Sequence, residues 1–327
     1  MLIINESEAR HLVSMADAIE VMQAAFAAVA KGDVSTFPVV REALPEVDGV
    51  FGVKSAAHRT TNLLGLKAGG YWRRNAGAGL TNHQSSTVLF DKAHGTPTAF
   101  VSANYLTGLR TAAVAGLAAR YLARHDASVL GVIGAGGQAI FQIEAIRTVR
   151  PISRVLVASR GREKGEAVVA ELQRSGEVEA TVVDIAYACR NADILTTITP
   201  SNEAVVHADW VRPGTHINAM GADTRGKQEI DPSLVQLATT FVDDWTQAKT
   251  IGECQHLAAA GRLDEAGIAG TIGMLAAGLH PGRRDAAEIT LFDSTGIAIQ
   301  DLAIAHYVVE QSRAKGAGLE VPLLEAH

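Results

Sequence analysis

Four charged side chains lie in surroundings where they could bind or transform a small anionic molecule. Arg110 lies in the otherwise small and apolar run "LTGLRTAA". An unpaired guanidinium would be costly there, so we expect a carboxylate partner, either from a substrate or from the protein. Lys67 lies in the apolar "GLKAGGYW", Arg41 in "VVREAL" and Asp223 in "MGADTRGKQEI". A structural role is the alternative, because Arg110 and Asp223 could form a pair and Lys67 could extend to solvent.

A second basic cluster follows Lys67 in the stretch "YWRRNAGAGLTNHQS". Arg73, Arg74 and His83 could bind a second carboxylate of a small ligand. Arg74 fits a solvated loop tip better, and His83 also fits a structural hydrogen bond. We therefore keep Arg73 and His83 as expected substrate contacts. Lys54, in a neighbouring strand, is a second lysine that could act in place of Lys67.

The stretch "VLGVIGAGGQAIFQ", residues 129–142, has the pattern of a strand, a glycine turn and the start of a helix. Gly134, Gly136 and Ala139 fit the form G-x-G-x-x-A. In that form the first glycine makes a tight turn, the second lets backbone approach a pyrophosphate, and the small third residue permits close packing. The pyrophosphate lies on amides at the helix N-terminus, where the helix dipole favours negative charge. The stretch therefore predicts a dinucleotide site rather than a merely structural turn.

The end of the next predicted strand, in "VLVASRGREKG", bears on the choice of cofactor. A site that prefers NAD usually has an acidic residue there, which binds the ribose 2′-hydroxyl. This chain has Ser159 and Arg160 instead, and a hydroxyl and a guanidinium suit a 2′-phosphate. The sequence therefore favours NADP(H). NAD(H) remains possible, with Arg160 stacking on the adenine.

The patterns before the glycine turn predict helices and an antiparallel sheet. Apolar residues at helical spacing predict helix over residues 5–31, with Asn5 and Ser14 as caps. Short β-type runs from 39 to 100 predict an antiparallel sheet with polar side chains on one face. Residues 106–124, which include Arg110, predict an alanine-rich helix.

From Ser128 onward strands alternate with helical stretches, which predicts an α/β fold with a doubly wound parallel sheet. The strands are predicted at 128–133, 154–159, 178–183, 193–198, 215–220 and 239–243. Asp223 comes just after the carboxyl end of the fifth of these strands, where open α/β sheets bind ligands. An amphipathic helix over 296–315 is predicted to pack back on the first part of the chain.

Composition is that of an ordinary globular enzyme with room for two domains. The chain has 327 residues, of which 47% are hydrophobic and 20% charged. Its net charge of −6 provides no basic surface for nucleic acid. No secretory signal or bilayer-spanning apolar run is visible, so we expect no membrane association and a cytoplasmic location. Cys189 and Cys254 lack metal-ligand spacing, so no metal is expected and both should be small buried hydrophobes.

Several stretches together resemble the ornithine cyclodeaminase/mu-crystallin family. They are "LGLKAGGYW", "YLTGLRTAAVAGLAARYLA", "GVIGAGGQA", "INAMGADTRGKQEI" and "ITLFDSTGIAIQDLA". The resemblance implies a Rossmann-type doubly wound parallel sheet inserted into a discontinuous α+β substrate and dimerisation domain. The dinucleotide-binding domain would be 125–295, and the substrate and dimerisation domain 1–124 plus 296–327. The resemblance also implies a homodimer and a catalytic cleft between the two domains.

The same resemblance implies roles for individual residues. Arg41, Lys67 and Arg110 correspond to residues that hold an α-carboxylate near the nicotinamide, with Lys67 adding positive charge at the reacting centre. Asp223 corresponds to the catalytic carboxylate of the family. The positions that correspond to contacts with the dinucleotide are Thr111, Gly136, Gly137, Gln138 and Thr199.

We therefore expect NAD(P)H-dependent reduction of a small 2-imino acid to an amino acid, by an imine or ketimine reductase or an amino-acid dehydrogenase acting in reverse. With Arg73 and His83 on a second carboxylate, the substrate could be a short dicarboxylic imine such as iminosuccinate. One alternative is an ornithine cyclodeaminase-type lyase that forms proline and ammonia with recycled NAD. The extra charges near Lys67 are basic, which weighs against a distal ammonium, although Glu42, Glu46 and Asp48 could reach it. The other alternative is an NADPH-dependent binding protein for a small ligand, which has no obvious need for Asp223.

Overall fold

Contacts divide the chain into two compact units. The computed structural model describes residues 1–176 and 178–323. Unit 1 combines Met1–Arg110 with the chain from Ile297 onward, and unit 2 is Thr111–Gly296. The roles that the sequence assigns to the segments 1–124 plus 296–327 and 125–295 stay predictions.

The front of the chain contains seven strands and three helices. The strands are β1 (Leu2–Ile4), β2 (Val34–Thr36), β3 (Val40–Leu44), β4 (Gly49–His58), β5 (Leu64–Trp72), β6 (His83–Phe90) and β7 (Pro97–Ser102). The helices are α1 (Glu6–Leu12), α2 (Met15–Ala30) and α3 (Asn104–Leu122), of which α3 belongs to unit 1 as far as Arg110. The antiparallel sheet and the alanine-rich helix predicted from the sequence are present.

The predicted helix over 5–31 is two helices, because each of its predicted caps begins a helix. Asn5 and Ser14 both form capping boxes, with Glu8 and Asp17 as their partners. The chain bends by 85° between α1 and α2. Within the described residues no single helix has the length and apolar composition of a membrane span, and this bent pair alone meets both criteria when taken together.

The middle of the chain alternates strands and helices as predicted. The strands are β8 (Val129–Ile133), β9 (Arg154–Ala158), β10 (Glu179–Val182), β11 (Ile194–Thr197), β12 (Asn202–Val206), β13 (His216–Ala219), β14 (Gln228–Ile230), β15 (Thr239–Val242), β16 (Gly270–Thr271) and β17 (Thr290–Asp293). The helices are α4 (Ala139–Val149), α5 (Arg162–Ser175), α6 (Ile185–Asn191), α7 (Pro232–Leu237), α8 (Trp245–Ile251), α9 (Gln255–Ala259) and α10 (Ile272–Ala276).

Unit 2 is built on a parallel sheet of eight strands, in the order β10-β9-β8-β11-β13-β17-β15-β16. All six strands predicted from the sequence belong to it, which confirms the Rossmann-type fold class. The sequence analysis missed β17, which lies between β13 and β15, and the short edge strand β16. Cys189 and Cys254 are free and buried, as expected.

The tail completes unit 1 with α11 (Ala298–Lys315) and β18 (Leu319–Glu320). The sheet order is β18-β1-β7-β6-β5-β4-β2, and β3 pairs with β4. Helix α11 packs on β4, β5 and α2. The approach to β5 is close, because a Cβ on Gly65 would lie 3.2 Å from the side chain of Leu302. The side chain of Lys67 alternates onto the same sheet face as Gly65, two residues away, and therefore faces α11.

Candidate active site

Lys67 and Arg110 meet at one buried carboxylate, that of Asp301 on α11. The Lys67 ammonium donates to Asp301 Oδ1 at 2.8 Å, and Arg110 Nε donates to the same oxygen at 3.0 Å. Lys67 also donates to Thr107 Oγ1 at 3.3 Å, and Arg110 Nη1 donates to Gln300 Oε1 at 2.5 Å. The expectation of a carboxylate partner for Arg110 is therefore met by the protein itself. The alternative that Lys67 extends to solvent is wrong, because its side chain is 10% exposed.

Burial and the charges of neighbouring side chains both shift the pKa values of Lys67 and Asp301. Burial lowers the pKa of Lys67 from its ordinary value to about 8; the negative charge of Asp301 limits that fall, whereas Arg110 and Lys54 add to it. Burial alone would raise the pKa of the Asp301 carboxyl. The positive charges of Arg110, Lys67 and Lys54 outweigh burial and hold this pKa well below its usual value. Asp301 is therefore ionised, while Lys67 is close to losing its proton in weakly alkaline solution.

Two further cations are on the sheet face that Lys67 occupies. Lys54 of β4 is directly opposite Lys67 of β5 in the antiparallel register. Arg41 of β3 is opposite Gly52, which is two residues from Lys54 and therefore on the same face. Lys54 was noted in the sequence only as a residue that could replace Lys67, whereas the structure makes it a direct cross-strand neighbour.

The other expected substrate contacts lie farther along this sheet. Arg73 is 75% exposed and lies 3.8 Å from Asp48 Oδ1 in a loose surface ion pair. His83 begins β6 opposite Tyr71 of β5, and it is half-buried. Asn75 to Ala78 form a short 3-10 turn after the exposed Arg74, which fits the loop-tip interpretation. The binding roles of Arg73 and His83 stay predictions.

The glycine turn in unit 2 has the geometry that a dinucleotide requires. Gly134 has a φ of +117°, and a Cβ there would lie 2.6 Å from the carbonyl oxygen of Ile198. Gly136 and Gly137 are exposed, and a Cβ at either position would meet nothing within 4 Å. The next residue, Gln138, precedes α4, and its Oε1 is buried with no hydrogen-bond partner among the described residues. The tight backbone at Gly134 and the open space over Gly136 and Gly137, just before the N-terminus of α4, fit a pyrophosphate-linked cofactor.

A cavity of about 480 Å³ lies beyond the end of β9. Its lining includes Ser159, Arg160 and Arg162, and also residues that follow β10. Ser159 Oγ donates to the carbonyl of Gly161 at 2.8 Å, and Arg162 donates to Glu166 at 2.8 Å. Arg160 has no ion-pair or hydrogen-bond partner in the described part of the chain. In Rossmann-type folds this end of the second strand faces the adenosine ribose, and contact of Arg160 with the cofactor there stays a prediction.

Asp223 follows β13 and lies in a small hydrogen-bonded turn. Lys227 Nζ donates to Asp223 Oδ1 at 2.6 Å, and Thr224 Oγ1 donates to the same oxygen at 3.0 Å. The Asp223 side chain is 47% exposed, so it can exchange a proton with water. The backbone N–H of Thr199, after β11, donates to Glu229 Oε1. Thr111 is half-buried on α3, directly after Arg110. The catalytic role of Asp223 and the cofactor contacts of Thr111 and Thr199 stay predictions.

The sequence analysis missed Asp301, Gln300 and Glu229. Asp301 occurs in a quoted stretch, but nothing local to it indicates a partner 234 residues away. One signal was present: Asp301 is four residues after Ile297 and one before Leu302, on the apolar stripe of the predicted helix. A carboxylate on the buried face of a helix needs a cation, and Lys67 and Arg110 were the cations without assigned partners.

A parallel sheet with a G-x-G-x-x-A turn at its central strand defines unit 2 as a Rossmann-type dinucleotide-binding fold. Unit 1 adds a buried pair of cations, Lys67 on β5 and Arg110 on α3. A family model described as the ornithine cyclodeaminase/mu-crystallin family matches residues 1–316. The chain belongs to this family, which confirms the resemblance seen in the sequence.

Two curated relatives match the chain over nearly its whole length. The iminosuccinate reductase of Paracoccus denitrificans (strain Pd 1222) is 42% identical over 324 residues, which are 99% of this chain and 100% of that protein. The alanine dehydrogenase of Archaeoglobus fulgidus is 38% identical over 320 residues, which are 98% of each.

Solved structures are similar over the same length. The Paracoccus iminosuccinate reductase in complex with NAD⁺ superposes with a TM-score of 0.93 at 41% identity, covering 99% of each chain. An archaeal alanine dehydrogenase dimer with bound NAD also has a TM-score of 0.93, at 38% identity and 99% of each chain. The Thermococcus litoralis Δ1-pyrroline-2-carboxylate reductase with NADH and L-proline has a TM-score of 0.94 at 30% identity, covering 98% of this chain and all of that one.

Proposed function

We propose that this protein is a nicotinamide-dependent reductase that converts a small 2-imino acid into the amino acid. The observation that carries the proposal is the meeting of Lys67 and Arg110 at the single carboxylate of Asp301. Two buried cations share one buried anion, so the cluster has the charge to bind one more carboxylate. The reductase relatives and the dinucleotide turn of unit 2 support the redox part of the proposal.

The cluster retains hydrogen-bond donors for that carboxylate. Asp301 and Gln300 occupy Nε and Nη1 of Arg110, and no described residue accepts from Nη2. Gln300 Nε2 is a buried donor without a partner among the described residues. A buried donor without an acceptor costs about 1–3 kcal/mol, and a substrate carboxylate oxygen next to the guanidinium would remove that cost. Asp301 and Gln300 hold the guanidinium in place before the substrate arrives, so little ordering is needed on binding.

The chemistry of the proposed reaction divides among named groups. Arg110 and Lys67 fix the carboxylate and thereby the adjacent carbon of the C=N bond. The positive charge of Lys67 favours the electron-rich nitrogen that forms as that carbon is reduced. Asp223, whose side chain is open to water, is the group that the family resemblance assigns to proton transfer with the nitrogen. When bound, the reduced nicotinamide supplies the two electrons and one hydrogen of the reduction.

We propose a short dicarboxylic imine such as iminosuccinate as the preferred substrate. Lys54 and Arg41 add positive charge on the sheet face of Lys67, where a distal carboxylate would be attracted. A distal ammonium, as in ornithine, would be repelled by the same side chains. This charge pattern favours the reductase over the cyclodeaminase. The relation to an iminosuccinate reductase points in the same direction.

We propose that the protein uses NADP(H) in preference to NAD(H), while binding both. Arg160 lines the cavity beyond β9 and has no acidic partner in the described residues. Of the cavity's other charged groups, Arg162 is paired with Glu166, and Asp184 caps α6 by accepting the Tyr187 N–H at 2.7 Å. A guanidinium without a partner suits a 2′-phosphate. The solved relatives contain NAD(H), which supports binding of the cofactor without the phosphate.

We propose that the protein is a homodimer that pairs through the face of the unit 1 sheet opposite α11. This face has partly exposed apolar side chains on four adjacent strands: Phe51, Val53, Leu64, Leu66, Val88, Phe90 and Phe100. Phe51 and Phe100 are 37% and 38% exposed. Contiguous apolar surface of this kind marks protein interfaces. The solved archaeal alanine dehydrogenase is described as a dimer.

A panel of amino acceptors tests the proposed activity. Purified protein receives NADPH or NADH with oxaloacetate, pyruvate or glyoxylate, each with and without ammonia, and the absorbance of reduced nicotinamide is followed. We expect oxidation that requires ammonia and is fastest with oxaloacetate. Oxidation without ammonia would indicate a ketone reductase instead. Ammonia release from ornithine with catalytic NAD⁺ would indicate the cyclodeaminase. Cofactor binding without any turnover would indicate the NADPH-dependent binding protein.

A further inference from the structure

Glu229 connects the ends of two neighbouring strands of the unit 2 sheet. Its side chain is fully buried. Oε2 accepts from Thr197 Oγ1 at 2.8 Å and from the backbone N–H of Gly221 at 2.7 Å, and Oε1 accepts from the backbone N–H of Thr199 at 2.5 Å. Thr197 is the last residue of β11, and Gly221 is two residues beyond β13. These strands are adjacent and parallel, so one carboxylate ties both of their carboxyl ends together.

The surroundings of Glu229 hold it firmly in place. The backbone N–H groups of Glu229 and Ile230 both donate to the Glu253 carboxylate, at 2.8 and 3.1 Å. Glu253 is itself buried. A Cβ on Gly221 would lie 2.5 Å from Glu229 Oε2 and would also meet the carbonyl oxygen of Thr199. The residue at 221 must therefore be glycine for the two strand ends to come this close.

Only a carboxylate satisfies this arrangement. Three donors hydrogen-bond to the side chain, two of them to Oε2 and one to Oε1. A glutamine has one acceptor oxygen, so its amide nitrogen would face either the Thr199 N–H or the pair of donors from Thr197 and Gly221. Burial raises the pKa of Glu229, and the donors from Thr199, Thr197 and Gly221 oppose that rise.

We propose that Glu229 is a positioning residue for the reduction, because it holds the loop of Thr199 and the loop that leads to Asp223 in one fixed geometry. The inference rests on the proposed function, in which Thr199 contacts the dinucleotide and Asp223 transfers the proton. These loops follow adjacent parallel strands at their carboxyl ends, where open α/β sheets bind ligands. Releasing either loop from Glu229 displaces a group that must act on the cofactor or the substrate.

The test compares Glu229→Gln with a matched change at the other edge of the same sheet. Glu288 accepts from Thr239 Oγ1 at 2.5 Å and from the Arg284 N–H at 3.0 Å, near the amino end of β15. Glu288→Gln therefore removes a partly exposed carboxylate whose two oxygens also accept hydrogen bonds, away from the ligand edge. For both variants and the wild type we would measure the Tm, the Kd for NADPH and NADH by the fluorescence of the bound reduced nicotinamide, and kcat and KM.

We expect Glu229→Gln to raise the dinucleotide Kd at least about tenfold and to lower kcat, since a lost hydrogen bond to a charged acceptor has an effect of this order. Glu288→Gln should lower the Tm while leaving the Kd within about twofold of wild type. If Glu229→Gln does not fold, Thr197→Val removes one donor and leaves the carboxylate, and it should weaken binding about threefold.

A folded Glu229→Gln protein with wild-type Kd and kcat would overturn the inference and leave the proposed function intact. Equal losses of binding in the Glu229 and Glu288 variants would overturn it as well, because the effect would then be one of general stability. A wild-type protein that binds neither NADPH nor NADH would overturn the proposed function and, with it, this inference.

Discussion

The ammonium of Lys67 lies 2.8 Å from Asp301 Oδ1, although 234 residues separate the two in the chain. The same oxygen accepts from Arg110 Nε at 3.0 Å. The tail helix α11 therefore does more than cover the sheet of unit 1, because its one buried acid places both cations that we assign to the substrate carboxylate.

Asp301→Asn should change the pH dependence of the reaction. Lys67 must be protonated to bind a carboxylate, and its pKa of about 8 predicts that kcat/KM falls above that pH. The charge of Asp301 raises the pKa of Lys67, whereas burial and Arg110 lower it. Without Asp301 the pKa of Lys67 drops further, so the fall should begin about one pH unit lower or more. The measurement is kcat/KM for oxaloacetate with ammonia against pH.

Asp126→Asn is the control for that experiment. Asp126 is 80% exposed and pairs with Arg124, so the same chemical change there removes only a surface ion pair. Free ammonia also varies with pH, and comparison of the proteins under identical conditions cancels that contribution. Superimposable profiles for Asp301→Asn and wild type would show that Asp301 does not set the protonation of Lys67.

Two alanine substitutions in the glycine turn should separate folding from cofactor binding. Gly134→Ala places a Cβ 2.6 Å from the Ile198 carbonyl oxygen at a φ of +117°, so it should lower the Tm by about 5 °C or more. Gly136→Ala meets nothing within 4 Å, so the Tm should stay unchanged. It should nevertheless weaken NADPH binding about tenfold, because Gly136 is the second glycine of the motif and a methyl group then stands where backbone must approach the pyrophosphate. Unchanged binding by Gly136→Ala would place the pyrophosphate elsewhere.

Arg160→Asp should reverse the cofactor preference. The carboxylate would repel a 2′-phosphate and accept a hydrogen bond from a 2′-hydroxyl, so the ratio of Kd values for NADPH and NADH should rise at least about a hundredfold. Arg162→Asp is the comparison, because Arg162 lines the same cavity but is already paired with Glu166. The preference for NADPH is refuted if wild type binds NADH more tightly or if Arg160→Asp leaves the ratio unchanged.

Charge on the outer face of the unit 1 sheet should break the proposed dimer. Phe51 and Phe100 belong to β4 and β7, on the face opposite α11. The double substitution Phe51→Glu and Phe100→Glu puts like charges into a self-complementary apolar interface. Light scattering after size-exclusion chromatography should give twice the chain mass for wild type and one chain mass for the variant. Leu237→Glu, a 65% exposed position in unit 2, is the control that should stay dimeric. A dimeric double variant with native circular dichroism would exclude this face.

Local patterns in the sequence predicted most of the fold, because its helices and strands are amphipathic or capped over short distances. Asn5 and Ser14 predicted the starts of α1 and α2, and the G-x-G-x-x-A turn predicted the start of α4. The stretch that forms β17 was quoted for its family resemblance, and its apolar run is too short to distinguish a strand from a buried turn.

The site was harder to predict because its partners are distant in the chain. Lys67 and Arg110 stood out as charges in apolar stretches, but only folding brings Asp301 to them. Lys54 became significant only through the register of β4 and β5. Glu229 lies in a stretch in which only Asp223 was singled out from the sequence, whereas the role of Glu229 depends on Thr197, which is 32 residues earlier in the chain.

The most direct test of the central claim is to identify the product formed with and without the cation pair. Wild type, Lys67→Met and Arg110→Met are incubated with NADPH, oxaloacetate and ¹⁵N-labelled ammonia, and labelled aspartate and oxidised cofactor are both quantified. We predict equal amounts of the two products from wild type, and almost none from either variant, although both variants still bind NADPH. Failure of wild type to form labelled aspartate, or wild-type yields from both variants, would contradict the account.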